Sequence, residues 1–400
     1  MKIALVCPYN IFERAGGVGD VVVNLKEGLV QKGHSVKVIT PKPTGYEGEV
    51  PDGYILLGTS TKFNKFNAGL ATDGAWTFNI DADEIKKVLD REKFDVINFH
   101  EPWAPILARQ ILQLSETVHV GTFHANLMDS AAAKSLVNLF LPYGRGIGEK
   151  LDLITAVSPA PAKVLLDKDP THRLVKNIRY IPNGINVARF STRPNLAVKH
   201  PKIKTILYVG RLEGRKGVKH LLMAYHELCN RRSDVQLHIA GSGPEEKKLR
   251  DYVNEHDIPR VTFLGYISDE DKIHHLHRAD VFCSAASRGE SFGIVLLEAM
   301  AAGCPIVAGD NVGYQSVMKD TGTMSLVNPR DTVDFSRRLE IMAFNEDLRG
   351  VWLKWAKKYV KSFDYKHVVD MYEGAYKEAV KIHAKKPKAK SWFGIRRQPR

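Results

Sequence analysis

The same pattern occurs twice along this chain: short apolar runs alternate with amphipathic helical stretches. The run Ile3–Cys7 is apolar without interruption, as expected for a parallel strand that is buried on both faces. A helix is predicted next, over Asp20–Lys32, with its apolar residues on one face. The alternating pattern is interrupted at residues 191–204, which are polar and contain prolines, and it begins again after them. Alternating strands and helices predict an α/β fold of two Rossmann-like, doubly wound domains that face a central cleft.

The predicted organisation follows from this break. Residues 1–190 form the first domain, 191–204 the linker, 205–362 the second domain, 363–383 a closing helix and 384–400 a basic tail. Long helices are expected over about 331–344, 346–362 and 365–382. Further strands are predicted over Val36–Ile39, Val96–Phe99, Val118–Thr122, Leu153–Ala156, Thr205–Val209, Val235–Ala240, Val261–Leu264, Asp280–Ser284, Ile306–Ala308 and Met324–Val327.

Cysteine usage and hydropathy indicate a cytoplasmic protein. The four cysteines are far apart, and no CxxC pair occurs, so the pattern predicts neither a disulfide framework nor a zinc site. No run approaches the roughly 20 apolar residues of a membrane-spanning helix. We therefore expect a soluble protein or one that lies on a membrane surface.

The charge balance predicts an anionic partner. The formal net charge is +13, and seven of the positive charges lie in the last sixteen residues, where there is no acid. Trp392 and Phe393 lie among these cations, an arrangement typical of segments that bind anionic lipid surfaces. A disordered, solubilising tail is the alternative. The apolar segment Ala131–Tyr143 is predicted as either a buried helix or an interfacial one.

Two glycine-containing loops follow the first strands of the two domains. Ala15–Asp20 (AGGVGD) fails the GxGxxG dinucleotide fingerprint, because Val22 stands where the third glycine belongs, which disfavours a dehydrogenase. This loop either lets backbone N–H groups approach a phosphate or is a plain turn. The second loop, Gly210–Gly217 (GRLEGRKG), offers Arg211 and Lys216. Both cations suit a diphosphate leaving group, although a solvated basic loop would look similar.

Residues 288–303 (RGESFGIVLLEAMAAG) carry the most specific pattern in the chain. A helix is predicted here with Ser291 as N-cap and Gly303 as its stop. Glu290 would then lie just before the helix, and Glu298 two turns into it. Two carboxylates beside a free helix N-terminus can hold sugar and ribose hydroxyls. The alternative is an amphipathic helix with solvent-facing glutamates.

Two histidine segments end predicted strands. Thr122–Asn126 (TFHAN) places His124 where it can hydrogen-bond a sugar, although a single histidine is often structural. His100–Pro102 (HEP) fits a loop-shaping role equally well.

These motifs together resemble the family 4 retaining glycosyltransferases, whose E-x7-E pair is matched by Glu290 and Glu298. The resemblance covers about residues 1–382 and is strongest to the phosphatidylinositol α-mannosyltransferases. It implies the GT-B fold, with the C-terminal helix crossing back to the N-terminal, acceptor-side domain. The remaining matched stretches are Cys7–Tyr9, His100–Pro102 with Ala104-Pro105, Thr122–His124, Ile181–Ile185 and Gly289–Leu296.

The resemblance implies roles for particular residues. Gly16 and Gly17 would approach the donor diphosphate, which Arg211 and Lys216 would neutralise as it leaves. Glu290 would bind the donor sugar. The other implied contacts are Glu298 with the ribose, His124 with the sugar, Gly265 and Tyr266 with the base, Phe292 and Gly293 with the donor, and Tyr9 and Lys134 with the acceptor.

The implied reaction is transfer of mannose from GDP-mannose, with retained configuration, to a lipid such as phosphatidylinositol at the inner face of the cytoplasmic membrane. The family needs no metal or cofactor, and the chain has no DxD-like strand-end motif. At Trp103 and at residues 72–73, on the acceptor side, the sequence differs from that of the lipid-specific family members. Another glycolipid or a soluble molecule is therefore an alternative acceptor. A nucleotide-sugar epimerase of the same fold is a further alternative. A basic nucleic-acid-binding protein would explain the charge but leave the cleft motifs unused, so no nucleic acid is expected.

Overall fold

The computed structural model describes residues 1–12, 16–43, 45–62, 75–78, 81–102, 104, 106–125, 146–167, 178–195, 200 and 202–386. Within them the chain forms two α/β units, each built on its own sheet. The fold class predicted from the sequence is thus confirmed.

The first sheet contains eight described strands, and its order is 4-3-2-1-5-6-7-8 by strand number. All neighbours are parallel except the third and fourth strands, which are antiparallel. The strand order reverses on either side of the first strand, as in a doubly wound sheet. The strands are β1 Lys2–Val6, β2 Ser35–Lys42, β3 Tyr54–Lys62, β4 Ala75–Phe78, β5 Val96–His100, β6 Val118–Phe123, β7 Leu153–Ala156 and β8 Ile178–Tyr180.

The second sheet contains six described strands, all parallel to their neighbours, in the order 11-10-9-12-13-14. Its order reverses at the ninth strand, so each unit has a crevice at the carboxyl ends of its central strands. The strands are β9 Lys204–Val209, β10 Val235–Ala240, β11 Val261–Gly265, β12 Val281–Ser284, β13 Ile306–Gly309 and β14 Leu326–Val327.

Helices cover the faces of both sheets. Three short 3-10 segments, Gly214–Lys216, Asp320–Ser325 and Val360–Phe363, join some of them. The helices are α1 Gly16–Gln31, α2 Ala82–Glu92, α3 Leu107–Leu114, α4 Pro159–Asp167, α5 Val187–Ser191, α6 Val218–Cys229, α7 Glu246–Glu255, α8 Asp269–Arg278, α9 Ile294–Ala301, α10 Val312–Val317, α11 Thr332–Phe344, α12 Glu346–Tyr359 and α13 Tyr365–Ala384.

The last helix, α13, leaves the second unit and packs on the first. Its apolar face joins the core formed by β1, β6 and α1, where Tyr372 and Tyr376 are fully buried. Gly28 of α1 allows this close approach, because a Cβ there would collide with Val369. The start of α13 is fixed by Ile185, whose N–H donates to the Phe363 carbonyl over 2.8 Å. The helix therefore connects the two units mechanically.

The far end of α13 is held by a buried carboxylate. Asp152 is 1% exposed, and Lys386 Nζ lies 2.7 Å from its Oδ1. His383 Nδ1 lies 3.1 Å from the same oxygen. Lys386, counted within the predicted free tail, is thus part of this anchor.

Several predicted boundaries differ from the structure. The helix predicted to start at Asp20 begins at Gly16, so the glycine-rich loop forms its first turn. The N-cap prediction at Ser291 is wrong: α9 begins at Ile294, after Gly293, whose φ of 105° is a left-handed value that favours glycine. The predicted strand Met324–Val327 is shorter, since a 3-10 turn occupies its first residues. The strands not predicted are β3, β4 and β8.

Candidate active site

The glycine-rich start of α1 faces the start of α9 across the cleft between the two units. A Cβ added at Gly17 would lie 3.7 Å from Ile294 Cδ1. Ser158, from the first unit, also donates its hydroxyl to the Ser291 carbonyl of the second. Two helix N-termini therefore converge at the mouth of the cleft. The N–H groups of a helix's first turn and the helix dipole favour an anion at such a place.

The loop after β9 brings a cluster of charges to this point. Glu290 Oε1 lies 2.7 Å from Lys216 Nζ and 2.9 Å from Arg215 Nη1. The side chains of Glu290 and Arg215 are 11% exposed, and that of Lys216 is 19% exposed. Glu213 bridges Arg215 to Arg211, at 3.0 Å and 2.9 Å. Three cations and two carboxylates leave one net positive charge, which suits a diphosphate.

The backbone makes this cluster possible. At Gly217 φ is 70°, and an added Cβ would collide with the Ala285 carbonyl at the end of β12. The 3-10 turn Gly214–Lys216 is thus pressed against the sheet. Gly313 similarly leaves room for the Glu290 carbonyl. Larger residues at either glycine would displace the charged side chains from each other.

Glu298 lies on α9 in a separate, largely buried ion pair. Its Oε1 is 2.8 Å from Lys272 Nζ, and the two side chains are 12% and 16% exposed. Burial raises the pKa of Glu298, whereas Lys272 lowers it. The charges of Asp269, on α8, and Asp20, on α1, act in the same direction as burial. The predicted glutamates are therefore not the solvent-facing pair of an ordinary surface helix.

Asp20 extends this second cluster across the cleft. Burial raises its pKa, with a further contribution from Asp269, while Lys272 and Arg189 oppose the shift. Arg189, on α5, also lies 3.0 Å from Glu270. The carboxylates of both units thus surround a single buried lysine.

His124 lies at the end of β6 but is only 6% exposed. Its Nε2 is 2.9 Å from Nδ1 of His100, and burial lowers its pKa to about 4. Both N–H groups at His124 and Ala125 donate to Glu101 Oε1 over 2.5 Å. Glu101 has a φ of 51° and fixes this turn, which supports the loop-shaping alternative for its segment.

The other predicted site residues are placed as follows. Gly265 ends β11 with a φ of 68°, and Tyr266 after it is 61% exposed. Phe292 is 3% exposed and packs at 6.0 Å against Phe363, so only its backbone can face a donor. Tyr9 accepts a 2.8 Å hydrogen bond from Thr40 through its carbonyl. Gly16 is in the first turn of α1, and Lys134, Ala131–Tyr143, 72–73 and Trp103 lie outside the described residues.

The structure thus brings Gly17, Lys216 and Glu290 to one end of the cleft and places Glu298 in the neighbouring cluster. Sequence reasoning missed Arg215 and Lys272 as partners of the two glutamates. Arg215 stands beside Lys216 in a recognised motif, whereas nothing in the sequence linked Lys272 to Glu298.

Two features are absent from the part of the chain that the structure describes. No three His, Cys, Asp or Glu side chains there are grouped so that they can hold a metal ion. None of the helices there has the length and apolar content needed to cross a membrane.

The buried histidines predict a loss of stability in acid. Burial lowers the pKa of His119 and His124 to about 4 and that of His100 well below its usual value. Below pH 6.5 the unfolded chain therefore binds more protons than the folded chain does. Each of these histidines then lowers the free energy of unfolding by up to about 1.4 kcal/mol for every unit by which the pH falls. Burial also raises the pKa of Glu101, to about 7, and that of Glu298 and Asp20, which opposes the effect of the histidines. Burial lowers the pKa of three more histidines, His220, His238 and His275, which adds to that effect. We expect Tm to fall from pH 6.5 to pH 4.5.

Thermal unfolding across this range, followed by circular dichroism, measures the effect. His119→Gln should flatten the slope, while a change at the exposed His256 should not. An unchanged Tm in the parent protein between pH 6.5 and 4.5 would contradict the burial argument.

Comparison with known proteins agrees with this architecture. Residues 15–189 match the family described as Glycosyltransferase Family 4, and residues 193–359 match Glycosyl transferases group 1. A phosphatidyl-myo-inositol mannosyltransferase of Mycolicibacterium smegmatis is 32% identical over 389 residues, which are 96% of each chain.

Two solved structures share the fold. Sucrose-phosphate synthase from Thermosynechococcus elongatus has a TM-score of 0.76 at 22% identity, covering 94% of this chain and 98% of that one. Anabaena HepE, in complex with UDP and glucose, has a TM-score of 0.71 at 17% identity, covering 94% and 99%. Two Rossmann-like units that face a cleft are the GT-B fold, and the two family matches make the chain a glycosyltransferase. This chain belongs to the family 4 glycosyltransferases.

Proposed function

We propose that this enzyme transfers mannose from GDP-mannose to phosphatidylinositol, or to a closely similar glycolipid, at the cytosolic surface of a membrane. The observation that carries the transferred sugar and the acceptor is the 32% identity, over 96% of both chains, to a phosphatidyl-myo-inositol mannosyltransferase. The cleft supplies chemistry consistent with such a donor.

The donor diphosphate is proposed to lie between the starts of α1 and α9. Backbone N–H groups from both helices would contact it, and Lys216 and Arg215 would neutralise the charge that grows as the sugar leaves. Arg211, which is half exposed, would act from the rim. Glu290 would then exchange part of its ion pairing for sugar hydroxyls, and Glu298 would bind the ribose.

Retention of configuration is proposed to proceed without a covalent intermediate on the two candidate carboxylates. Glu290 and Glu298 are both engaged by cations, so neither is a free carboxylate. The leaving phosphate is therefore proposed to deprotonate the acceptor hydroxyl on the same face of the sugar. Catalysis would come mainly from positioning and charge stabilisation.

A panel of donors and acceptors tests the proposal. GDP-mannose, GDP-glucose, UDP-glucose and UDP-galactose would each be offered with phosphatidylinositol vesicles, a bacterial lipid extract or soluble sugars, with products detected by mass. Mannosylated phosphatidylinositol is the expected product. Transfer only to another lipid or only to a soluble sugar would keep the glycosyltransferase and reject this acceptor.

Metal removal should leave activity intact. The proposed diphosphate site is built from Lys216, Arg215 and backbone N–H groups, so a divalent cation would be redundant there. Turnover in excess EDTA should stay within about twofold of the untreated enzyme. Loss of turnover that magnesium restores would mean that the diphosphate site is wrong.

The basic tail is proposed to hold the enzyme at an anionic membrane. Each cation near such a surface contributes up to about 1 kcal/mol, screened within about 8 Å at physiological salt. Because Lys386 anchors α13 through Asp152, the deletion that isolates the tail removes only residues 387–400, which lie outside the described residues. This deletion, or high salt, should weaken sedimentation with anionic liposomes.

Donor affinity provides the control for this deletion, because it should not change. Neutral liposomes should bind little of either protein. Equal co-sedimentation of both proteins with anionic liposomes at low salt would leave the tail as a solubilising extension.

A further inference from the structure

A continuous hydrogen-bonded chain links the crossing helix α13 to His124. Asn98 Nδ2, on β5, lies 2.8 Å from the Tyr376 hydroxyl and 3.3 Å from His100 Nε2. His100 Nδ1 in turn lies 2.9 Å from His124 Nε2. Tyr376, Asn98, His100 and His124 are all buried, at 0%, 0%, 1% and 6% exposure. Little solvent can replace a missing partner in this chain.

The donor and acceptor roles along the chain are determined by the Asn98 amide. Thr122 donates its hydroxyl to Asn98 Oδ1 over 2.8 Å, so the amide nitrogen faces both Tyr376 and His100. An amide nitrogen can only donate, and His100 Nε2 must therefore accept. A neutral imidazole has one donor and one acceptor, which puts the His100 proton on Nδ1. His100 then donates to Nε2 of His124.

The same reasoning puts the His124 proton on Nδ1. Burial lowers the pKa of both rings, so both are neutral at pH 7. Because His124 Nε2 is occupied, Nδ1–H is the one ring proton left for another contact. The Asn183 side chain lies beside this ring and raises its pKa, as expected of an amide oxygen near the ring N–H. With Nε2 accepting from His100, the ring offers its donor at Nδ1.

We propose that Tyr376 is a positioning residue: by accepting from Asn98 it keeps in place the chain in which Asn98 and His100 hold His124 as the neutral Nδ1–H tautomer, oriented to donate to the transferring sugar. The proposal rests on the proposed function for the identity of the sugar. The tautomer itself does not depend on any substrate. Since Tyr376 is on α13, which follows the second unit in the chain and packs on the first, the seating of this helix on the first unit becomes a condition for turnover.

Nuclear magnetic resonance tests the tautomer without any substrate. In protein labelled with ¹⁵N-histidine, long-range ¹H–¹⁵N correlations show which ring nitrogen carries the proton, and His100→Asn and His124→Gln assign the two signals. Both rings should be Nδ1–H at pH 7. An Nε2–H or charged ring at either position would overturn the proposal, whatever the acceptor proves to be.

Kinetics test the positioning role. Tyr376→Phe removes only the hydroxyl and should lower kcat by about tenfold, because small misplacements of a reacting group are costly, while KM for the donor stays within twofold. Tyr225→Phe is the matched control, since its buried hydroxyl bonds main-chain carbonyls in the second unit. It should lower stability without lowering kcat.

A pair of His100 variants separates positioning from folding. His100→Asn keeps an N–H donor near the place of Nδ1 and should retain most of the turnover, whereas His100→Ala should lose about as much as Tyr376→Phe. Equal kcat in parent and Tyr376→Phe proteins, or equal loss in both His100 variants with Tm unchanged, would overturn the role. If phosphatidylinositol is not the acceptor, the same comparison can use whichever acceptor the panel finds.

Discussion

Replacing Lys216 with alanine is expected to lower kcat by at least about 100-fold while the protein stays folded. Its ammonium lies 2.7 Å from Glu290 and is 19% exposed, so its charge is only partly screened. In the proposed site this charge meets the leaving diphosphate, whose negative charge grows in the transition state. Removing a preorganised charge at that point takes away stabilisation that water cannot restore.

The exposure of the neighbouring cations also ranks the loss of turnover that is expected when each is replaced. Arg211 is 52% exposed and paired with Glu213, so Arg211→Ala should cost less than Lys216→Ala, though we still expect a loss near 100-fold. Lys219, on the exposed side of α6, provides the matched control, because Lys219→Ala removes a lysine three residues away. Initial rates at saturating donor measure the effect. Parent-like turnover in Lys216→Ala would remove this loop from the mechanism.

Substitutions of Glu290 and Glu298 should affect different steps, turnover in the first case and donor binding in the second. Glu290→Gln should lower kcat by about 100-fold with little effect on GDP binding, because its proposed contact is with the moving sugar. Glu298→Ala should instead weaken binding of both GDP-mannose and GDP by at least about tenfold, because it removes the ribose contact and leaves Lys272 without one partner.

Calorimetry with GDP, combined with kinetics, distinguishes these outcomes. Lys272→Met serves as the matched control for Glu298→Ala, since it breaks the same ion pair while keeping the carboxylate. If the ribose role is correct, Glu298→Ala should bind GDP more weakly than this control. Unchanged GDP affinity in Glu298→Ala would contradict that role.

The local sequence pattern was sufficient to predict most strands of the two sheets. The strand Leu153–Ala156 (LITA) is mostly apolar, and Val235–Ala240 (VQLHIA) begins by alternating apolar with polar residues; for both, the predicted range equals the observed one. The strand β3, Tyr54–Lys62, mixes polar and apolar residues near one edge of its sheet and gave a weaker signal. Strands of such mixed composition are recognised mainly through the strands they pair with.

The start of α9 shows why a helix boundary was misplaced. Ser291 is a good N-cap residue by type, and local propensity favoured it. The folded loop instead buries Phe292 against Phe363 and turns at Gly293. Tertiary packing of one aromatic side chain thus moved the helix start to Ile294.

The candidate site was predictable only in part for the same reason. Motifs at strand ends indicated Lys216, Glu290 and Glu298, because strand ends converge in this fold. The ion pair between Lys272 and Glu298 joins residues on different helices, and nothing in their sequence spacing indicates it. The hydrogen bonds of His124 likewise depend on contacts made only in the folded chain.

The stereochemistry of the product tests the central claim most directly. GDP-α-mannose and phosphatidylinositol vesicles would be incubated with the enzyme, and the anomeric configuration of the new glycoside read from its one-bond C1–H1 coupling. The account predicts an α-mannoside formed from the start of the reaction, together with one GDP per product. A β-mannoside, or GDP release with no glycoside formed on any lipid or sugar acceptor, would contradict it.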